Sequence, residues 1–314
     1  YILSQRTIAF DVKPDLITEN FLATVLRTPT VFASLTALSS GGTAKGVSQK
    51  SLATVDIAIP ANMNEQEQLA SIFSGIDHLI TLHQRKYDKL FNLKKAMLQK
   101  MFPQNGFLYP EIRFRGFTDA WEQRKLSEVA TMHARIGWQN LRTSEFLDSG
   151  DYMLITGTDF DDGVINYSTC HFVERKRYEQ DKHIQIKNGS ILITKDGTLG
   201  KVAYVQGLSM PATLNAGVFN IEIKDGTEVD NKYLFQYLKA PFLMNYVDKK
   251  ATGGTIKHLN QNILVDFPVL MPSKTEQEAI GEYFSQLDNL ITLHQRKLEK
   301  LKNIKKSCLE KMFV

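Results

Sequence analysis

The sequence predicts an α+β protein in which globular domains alternate with two long coiled-coil helices. Three observations lead to this prediction: an internal repeat, a seven-residue spacing of apolar side chains within it, and short β-type runs between its copies. Residues 65–102 and 276–313 are identical at 23 of 38 aligned positions. Self-similarity of this extent indicates a structural unit that occurs twice in the chain.

Both copies have the apolar spacing of a coiled coil, and neither contains proline. At about 1.5 Å per residue, each helix reaches roughly 55 Å. A helix with such a stripe must bury it, so we expect the two copies to pack against each other. The predicted seam residues are Ile76, Ile80, His83 and Leu90 in the first copy and Leu287, Ile291, His294, Leu298 and Leu301 in the second.

His83 and His294 occupy the same seam position in the two copies. We expect each to form a polar layer that fixes the register of the helices. Metal ligation and a pH-dependent switch are the alternatives. No Cys, Asp or Glu is spaced to complete a metal site around these histidines, so the sequence predicts no metal site.

The helices also carry a basic face, which we expect to be solvated, with contact to nucleic-acid phosphates as the alternative. Its members are Arg85, Lys86, Lys89, Lys94, Lys95 and Lys100 in the first copy and Arg296, Lys297, Lys300, Lys302, Lys305, Lys306 and Lys311 in the second.

Composition sets broad limits on the class of protein. The 314 residues suffice for two or three domains, and 43% hydrophobic residues are ordinary for a soluble protein with a core. The longest apolar runs are shorter than the ~20 residues of a membrane span. Two cysteines imply no disulfide framework, so we expect a cytoplasmic protein. A net charge of +4 permits a polyanionic partner without requiring one.

The repeat extends backwards from the helices at a constant offset of 212, through the similar loops 40–49 and 252–261. Residues 1–64 therefore resemble the closing third of a globular domain. We expect a strand at 7–12, a helix at 18–26 and a strand at 56–59. In the register of the repeat Tyr1 corresponds to Thr213, so we expect about 110 residues equivalent to 103–212 to be missing from this domain.

The first long helix is expected to begin at Asn64 as its N-cap and to run to Phe102. Residues 103–272 then form a linker and a complete second domain, followed by the second helix at 273–314. Strands are expected at 152–156, 189–195, 201–205 and 218–223. A helical pattern at 233–247 contains Pro241, where we expect a break.

The loop from Lys195 to Lys201 joins two apolar runs and contains two glycines. A hairpin turn explains the glycines. Two lysines and Thr198 beside exposed backbone N–H groups are also suited to contact with phosphates or base edges. We therefore predict DNA contacts from Lys195, Thr198 and Lys201.

Two further polar clusters are candidates for DNA contact. The Gly-Gly-Thr loop contributes Thr255, Lys257, His258 and Asn260, and Lys45 is the counterpart of Lys257 in the first copy. The other cluster comprises Arg135, Trp138, Asn140 and Arg142, for which a surface loop with one packing Trp is the alternative. Arg favours guanine and Asn favours adenine in the major groove.

Catalysis by this chain is not expected. Glu222 and Lys224 follow Asp196 at a spacing seen in metal-dependent nucleases, but an alternating strand explains the same residues. No methyltransferase motif is present, and no Ser-His-Asp or Cys-His constellation can be assembled. A stand-alone nuclease therefore remains only a minor alternative.

The duplicated helix from Glu-Gln-Glu to Lys-Met-Phe, the Gly-Thr-x-Gly-Lys-Val loop at 197–202 and the Gly-Gly-Thr loops together resemble a known family. The chain is similar over its whole length to the specificity subunits of type I restriction-modification systems, here truncated within the first target-recognition domain.

That resemblance implies a non-catalytic reader of double-stranded DNA. Two target-recognition domains would each read half of a bipartite site, and the long helices would pack antiparallel as a pseudo-twofold spacer on which methyltransferase subunits dock. Methyltransferase and restriction subunits would carry S-adenosylmethionine, ATP and Mg²⁺, and this chain would hold no cofactor. The alternative is a coiled-coil scaffolding protein without sequence-specific DNA binding.

Overall fold

The computed structural model describes residues 8–39, 46–104, 106–250 and 259–313, apart from the side chain of Trp138. The chain divides into two compact units. Unit 1 comprises Tyr1–Phe91 and Leu290–Val314, and unit 2 comprises Asn92–Asn289. In the part of the chain described, no helix is both long and apolar enough to span a membrane.

The two longest helices coincide with the sequence repeat and have 38 residues each. The α-helices of the described residues are α1 (Glu19–Val25), α2 (Pro29–Ala37), α3 (Gln49–Leu52), α4 (Met63–Lys100), α5 (Leu126–Val129), α6 (Arg175–Glu179), α7 (Asn231–Lys239), α8 (Phe242–Lys250), α9 (Gln261–Val265) and α10 (Lys274–Lys311). Short 3₁₀-helices lie at Gly137–Gln139, Thr143–Glu145, Gly157–Asp159 and Lys182–Ile184.

All strands of the described residues lie in unit 2, which confirms the α+β class. They are β1 (Glu122–Lys125), β2 (Ala130–His133), β3 (Met153–Ile155), β4 (Phe160–Asp161), β5 (Val164–Ile165), β6 (His171–Phe172), β7 (Gln185–Ile186), β8 (Ile191–Thr194), β9 (Val202–Tyr204), β10 (Ala212–Leu214), β11 (Val218–Ile223) and β12 (Pro268–Met271).

Unit 2 is built around two four-stranded sheets. One has the order β2-β11-β8-β9 with antiparallel neighbours, and the other has the order β6-β3-β10-β7 with a parallel β3–β10 pair. Apolar side chains of both sheets form one core, whose fully buried members include Ile155, Leu192, Ala203, Leu214 and Val218. The four strands expected from apolar runs are all present as β3, β8, β9 and β11. The expected break at Pro241 is confirmed, since it separates α7 from α8.

Unit 1 corrects two strand predictions. Residues 8–12 and 56–59 have no regular secondary structure, although both runs are apolar. A strand needs a hydrogen-bonded neighbour, and the described residues of unit 1 contain no strand to pair with them. The expected helix at 18–26 is confirmed as α1, with Thr18 as its N-cap. Helix α2 was not predicted; Thr28 caps it and Pro29 occupies its first turn.

Helix α4 begins slightly before its predicted start. Asn64 lies inside the helix, and its backbone N–H donates to Oδ1 of Asn62 at 2.9 Å. Asn62 therefore provides the capping acceptor at this end of the helix, two residues before the predicted N-cap Asn64. Helix α10 begins at Lys274, within a residue of the predicted start at 273.

Unit 1 contains the part of α4 up to Phe91 and the part of α10 from Leu290 onwards. These two helical segments pack antiparallel around His83 and His294. Their Nδ1 atoms lie 2.8 Å apart, and Asp77 forms an ion pair with Lys305. Because His83 and His294 are equivalent positions of the repeat, this contact is the one that local twofold symmetry would produce. Burial and the nearby His83 lower the pKa of His294. Of the predicted seam residues here, Ile291 and Leu298 are buried, while Ile76, Ile80, Leu90 and Leu301 are half-buried.

Within unit 2, Lys94 forms an ion pair with Asp288, and Leu287 is buried beside it on α10. The Nε2 of Gln236 donates to Oδ2 of the same Asp288 at 2.9 Å. Lys94 is only 5% exposed, so the expectation of a solvated basic face is wrong at this position. Burial, with the nearby charge of Lys239, lowers the pKa of Lys94 to about 8.

A buried glutamine fixes the first turn of each long helix. In unit 1, Nε2 of Gln66 donates to the carbonyl oxygens of Leu16 (2.9 Å) and Pro60 (2.8 Å), and its Oε1 accepts from the N–H of Thr18 (3.1 Å). These bonds join the start of α4 to the N-cap of α1.

In unit 2, Gln277 has the corresponding role. Its Nε2 donates to the carbonyl oxygens of Pro272 (2.9 Å) and Glu228 (3.3 Å), and its Oε1 accepts from the N–H of Asp230 (2.9 Å). Asp230 is the N-cap of α7. The side chain of the adjacent Glu276 is also buried and forms a bidentate ion pair with Arg113.

An aromatic side chain closes each long helix. Phe102 follows α4 and is fully buried in unit 2, where its ring contacts those of Trp121, Tyr233, Tyr237, Phe242 and Phe284. Phe313 follows α10 and contacts Phe21 and Phe73 in unit 1. Residues 21 and 73 correspond in the repeat to Tyr233 and Phe284, so the same aromatic contacts occur twice.

Candidate nucleic-acid interface

Residues 195–201 form the hairpin loop between β8 and β9, and Thr194 at the end of β8 closes this loop with hydrogen bonds. The hydroxyl of Thr194 accepts from the N–H of Lys201 at 3.0 Å and donates to the carbonyl oxygen of Thr198. The N–H of Gly200 donates to the carbonyl oxygen of Thr194 at 2.9 Å. Gly197 and Gly200 have φ values of +73° and +71°, in the left-handed region that favours glycine. The two glycines are therefore required by the backbone conformation of the hairpin, and the side chains of Thr198 and Lys201 remain exposed.

The structure brings this hairpin loop next to Leu259, at the described end of the segment 252–261. The N–H of Leu259 donates to the carbonyl oxygen of Lys195 at 2.8 Å. On its other side, the N–H of Lys195 donates to the carbonyl oxygen of Gly217, also at 2.8 Å. Leu259 is buried, and Asn260 follows it as the N-cap of α9. Lys195 and Leu259, about 60 residues apart in sequence, thus lie at one edge of unit 2.

Three of the predicted contact residues at this edge are exposed: Thr198, Lys201 and Asn260. Lys195 is half-buried, and its Nζ lies 5.4 Å from the centroid of the Phe219 ring. Cations, a hydroxyl and an amide in one place can bind phosphate oxygens and donate to base edges. Thr255, Lys257, His258 and Lys45, which were predicted with them, lie outside the described residues.

Arg135 is a correction to the predicted contacts, because it is buried and only 1% exposed. Its guanidinium donates to the carbonyl oxygen of Leu214 (3.0 Å), the hydroxyl of Thr213 (3.3 Å), the carbonyl oxygen of Gln139 (3.4 Å) and Oε1 of Gln180 (3.2 Å). Burial, with the neighbouring charge of Arg177, lowers the pKa of Arg135. A guanidinium with these partners fixes strand β10 and cannot reach a base.

Asn140 and Arg142 are exposed and lie between two 3₁₀-helices. The backbone N–H of Arg142 donates to Oε2 of Glu145 at 2.8 Å, and Glu145 also pairs with Arg177. These two donors lower the pKa of Glu145. Trp138 lies in the 3₁₀-helix Gly137–Gln139, and its side chain lies outside the described part of the structure. No described hydrogen bond or ion pair joins this cluster to the hairpin loop, so the predicted DNA-contacting residues fall into two separate groups.

The residues of the nuclease alternative are not brought together. Lys195 and Gly217 are hydrogen-bonded neighbours, which places Asp196 at the beginning of β11. Glu222 lies five residues beyond Gly217, roughly 16 Å along an extended strand. Glu222 instead lies beside two histidines, His133 and His183, with one possible ligand atom of each residue within 4.8 Å of the others. The sequence did not indicate this cluster because its members are about 40 to 50 positions apart.

The buried glutamine and the aromatic contacts of the long helices occur once in each unit, and unit 2 carries an exposed polar hairpin loop. These features define a binding protein built by duplication. The chain belongs to the family of type I restriction modification DNA specificity domains, whose model matches residues 1–92 and 118–303. This membership confirms the family that the repeat and its loops indicated.

Curated relatives and solved structures agree with this family. The chain is 24% identical to the type I restriction enzyme MjaVIII specificity subunit of Methanocaldococcus jannaschii, over 98% of this chain and 72% of that protein. It is 26% identical to the MjaIX specificity subunit of the same organism, over 62% of this chain and 44% of that protein. The type I restriction-modification S subunit from M. genitalium superposes with a TM-score of 0.67 at 18% identity, covering 96% of this chain and 74% of the other. That likeness shows the shared fold.

Proposed function

We propose that this chain is the sequence-specific DNA-recognition subunit of a type I restriction-modification complex and that it reads one part of a bipartite site with unit 2. The observation that carries the proposal is the Leu259–Lys195 hydrogen bond, which holds Asn260 beside the polar hairpin loop of Thr198 and Lys201. Family membership favours DNA recognition over the alternative of a coiled-coil scaffold.

The exposed side chains at this edge would make two kinds of DNA contact, one to phosphates and one to base edges. Lys201 suits phosphate contact, which positions a protein on DNA without specifying sequence. Asn260 and Thr198 have the donors and acceptors that distinguish base edges, with Asn suited to adenine. Asn140 and Arg142 form a second exposed group, in which Arg142 suits guanine. Base preference would thus depend on short loops fixed by the strands of unit 2.

The long helices would dock the methyltransferase subunits. In unit 1, exposed leucines recur at equivalent positions of the repeat: Leu79 with Leu290, and Leu82 with Leu293. A lone exposed leucine is unremarkable, but the same pair on both helical segments supports two equivalent apolar contact surfaces. Each surface suits one copy of the same partner.

The chemistry would lie in the partner subunits. S-adenosylmethionine would bind to the methyltransferase subunits, and ATP and Mg²⁺ to the restriction subunits. This chain would contribute no catalytic group and would act in the cytoplasm, where its DNA substrate is found.

Selection of bound duplexes from a random pool tests the proposal, using the chain assembled with its methyltransferase subunits. We expect one bipartite sequence to be enriched. Asn260→Ala and Thr198→Ala should relax preference at particular bases by about 1–3 kcal/mol each, whereas Lys201→Ala should weaken binding to all sequences and reduce the salt dependence.

Lys176→Ala is the matched control, because Lys176 is also an exposed lysine but lies on α6. Enrichment of no sequence by the wild-type complex would overturn the proposal. Equal effects of Lys176→Ala and Lys201→Ala would place the DNA elsewhere on unit 2.

A further inference from the structure

We propose that His133, His183 and Glu222 form a binding site for a divalent transition-metal ion in unit 2. One possible ligand atom from each residue lies within 4.8 Å of the other two. Two imidazole nitrogens and one carboxylate oxygen are a donor set that Zn²⁺ takes in proteins, with water in the remaining position. The imidazoles favour zinc and its transition-metal neighbours over Mg²⁺ or Ca²⁺, which prefer oxygen ligands.

The β-sheet fixes two of the three ligands. His133 ends β2, and Asn220 of the antiparallel strand β11 lies directly opposite it. Side chains alternate along a strand, so Glu222, two residues beyond Asn220, projects from the same face. The resulting separation between Nε2 of His133 and Oε2 of Glu222 is 3.9 Å.

The third ligand comes from the 3₁₀-helix Lys182–Ile184. The ring of His183 stacks on that of His133, with centroids 4.5 Å apart. The position of His183 is held by its own backbone: its N–H donates to Oδ1 of Asp181 at 2.9 Å, and its carbonyl oxygen accepts from Nδ2 of Asn220 at 3.1 Å. The backbone of His183 is therefore fixed, while its imidazole ring remains exposed.

The three ligand atoms would have to move only slightly closer together to bind one ion. Bonds of about 2.0–2.2 Å in a tetrahedral site place ligand atoms about 3.3–3.6 Å from one another. The His133–Glu222 pair is thus a few tenths of an ångström from that separation, and rotation of exposed side chains can supply the rest. Both His183 and Glu222 are exposed, so these rotations do not disturb the core.

A second observation points to a ligand at the same place. The side-chain oxygen of Asn220 is buried and has no hydrogen-bond partner among the described residues. Asn220 lies opposite His133 and on the same face as Glu222. A water bound to the metal at its open position is the type of donor that this oxygen lacks. Buried polar atoms without partners are uncommon in folded proteins, so this one calls for a structural reason.

An ion held here would join β2, β11 and the segment around His183, which are far apart in sequence. Binding to the folded chain alone stabilises it by mass action. We therefore expect Zn²⁺ to raise the thermal midpoint of unit 2. The three ligands all belong to this chain, so the metal-site proposal can be tested without DNA or a partner subunit and does not depend on the proposed function.

Titration of the purified full chain tests this site, with Zn²⁺ followed by calorimetry and Co²⁺ followed by its visible absorption. We expect one Zn²⁺ per chain at this site. His183→Gln and Glu222→Gln should each weaken it at least tenfold and change the Co²⁺ spectrum. Both residues are exposed, and circular dichroism will verify that the variants fold.

Two matched controls are His78→Gln and Glu299→Gln, which alter exposed residues in unit 1. His294→Gln tests the His83–His294 pair as a rival site. The proposal predicts that these three variants bind one Zn²⁺ with the affinity of the wild type. Unchanged Zn²⁺ affinity in both His183→Gln and Glu222→Gln would overturn it, as would loss of the tight site in His294→Gln alone.

Discussion

Gln66 and Gln277 lie 211 positions apart and make the same three hydrogen bonds. Each side chain accepts from the backbone N–H of a helix N-cap residue and donates to two carbonyl oxygens, one of them from a proline. Both are completely or almost completely buried, at 0% and 1% exposure. The repeat therefore duplicates a polar attachment between each long helix and its globular domain, which sequence identity alone does not reveal.

Replacing Gln277 with Leu should destabilise unit 2 by about 2–4 kcal/mol. The change leaves one N–H and two carbonyl oxygens buried without their partner, and each such loss costs about 1–3 kcal/mol before relaxation. Urea unfolding measures the effect. Gln286→Leu is the control, since Gln286 is exposed on the same helix. A loss below about 0.5 kcal/mol in Gln277→Leu would show that the attachment is dispensable.

Gly281 of α10 should not tolerate alanine. A Cβ there would lie 2.8 Å from Oδ1 of Asp230 and 2.9 Å from the backbone nitrogen of Tyr233, at the start of α7. Overpacking of this kind costs about 1–3 kcal/mol, which outweighs the helix propensity gained.

Gly75 of α4 is the matched control for Gly281, because among the described residues no atom outside its own stretch of helix lies within 4 Å of the added Cβ. We expect Gly75→Ala to raise stability by about 0.5–1 kcal/mol. Thermal or urea unfolding of both variants measures the contrast. Equal effects of the two substitutions would contradict the close approach at Gly281.

The buried ammonium of Lys94 should make stability depend on pH in the alkaline range. Its pKa falls from 10.5 to about 8 on folding, mainly because of burial. Between these values the unfolded chain binds more protons than the folded chain, so stability rises with pH through this window. The full gain is up to about 3 kcal/mol.

The measurement is urea unfolding at pH 7.5, 9 and 10 for the wild type and for Lys94→Met. The wild type should gain stability relative to Lys94→Met as the pH rises. Lys95→Met is the control, since Lys95 is exposed on the same helix. A constant or falling difference between the wild type and Lys94→Met would contradict the lowered pKa.

Arg135→Met should reduce stability without changing the bases that are read. The buried guanidinium holds backbone and side-chain oxygens of β10 and its surroundings, so we expect a loss of about 2–4 kcal/mol. Arg142→Met, at an exposed position, should leave stability within about 0.5 kcal/mol. Unfolding and duplex selection on both variants separate the roles. Altered base preference in a stably folded Arg135→Met would restore its predicted place at the interface.

Local patterns predicted the long helices and the apolar strands because their signals lie within a few neighbouring residues. Helix α4 came within two residues of its predicted bounds for this reason. Strand β1, with sequence Glu-Gln-Arg-Lys, has no β-type pattern and forms by pairing with β12 almost 150 residues later. The same dependence on distant partners explains why residues 8–12 were wrongly predicted as a strand.

The candidate site was predictable only in part. The glycines of 197–200 indicated a hairpin, and their loop is one. Burial of Arg135 depends on strand β10, some 80 residues away, so its sequence neighbours gave no sign of it. His133, His183 and Glu222 converge through strand register and a 3₁₀-helix, and no spacing along the chain encodes that convergence.

The most direct test of DNA recognition is the methylation pattern of a genome exposed to this chain and its methyltransferase partners. The triple variant Thr198→Ala, Lys201→Ala and Asn260→Ala is compared with the wild type and with Lys176→Ala. We predict that the wild type and Lys176→Ala direct methylation to the same bipartite sequence, and that the triple variant loses or relaxes one half of it. Methylation without sequence preference in the wild type, or an unchanged pattern in the triple variant, would contradict the account.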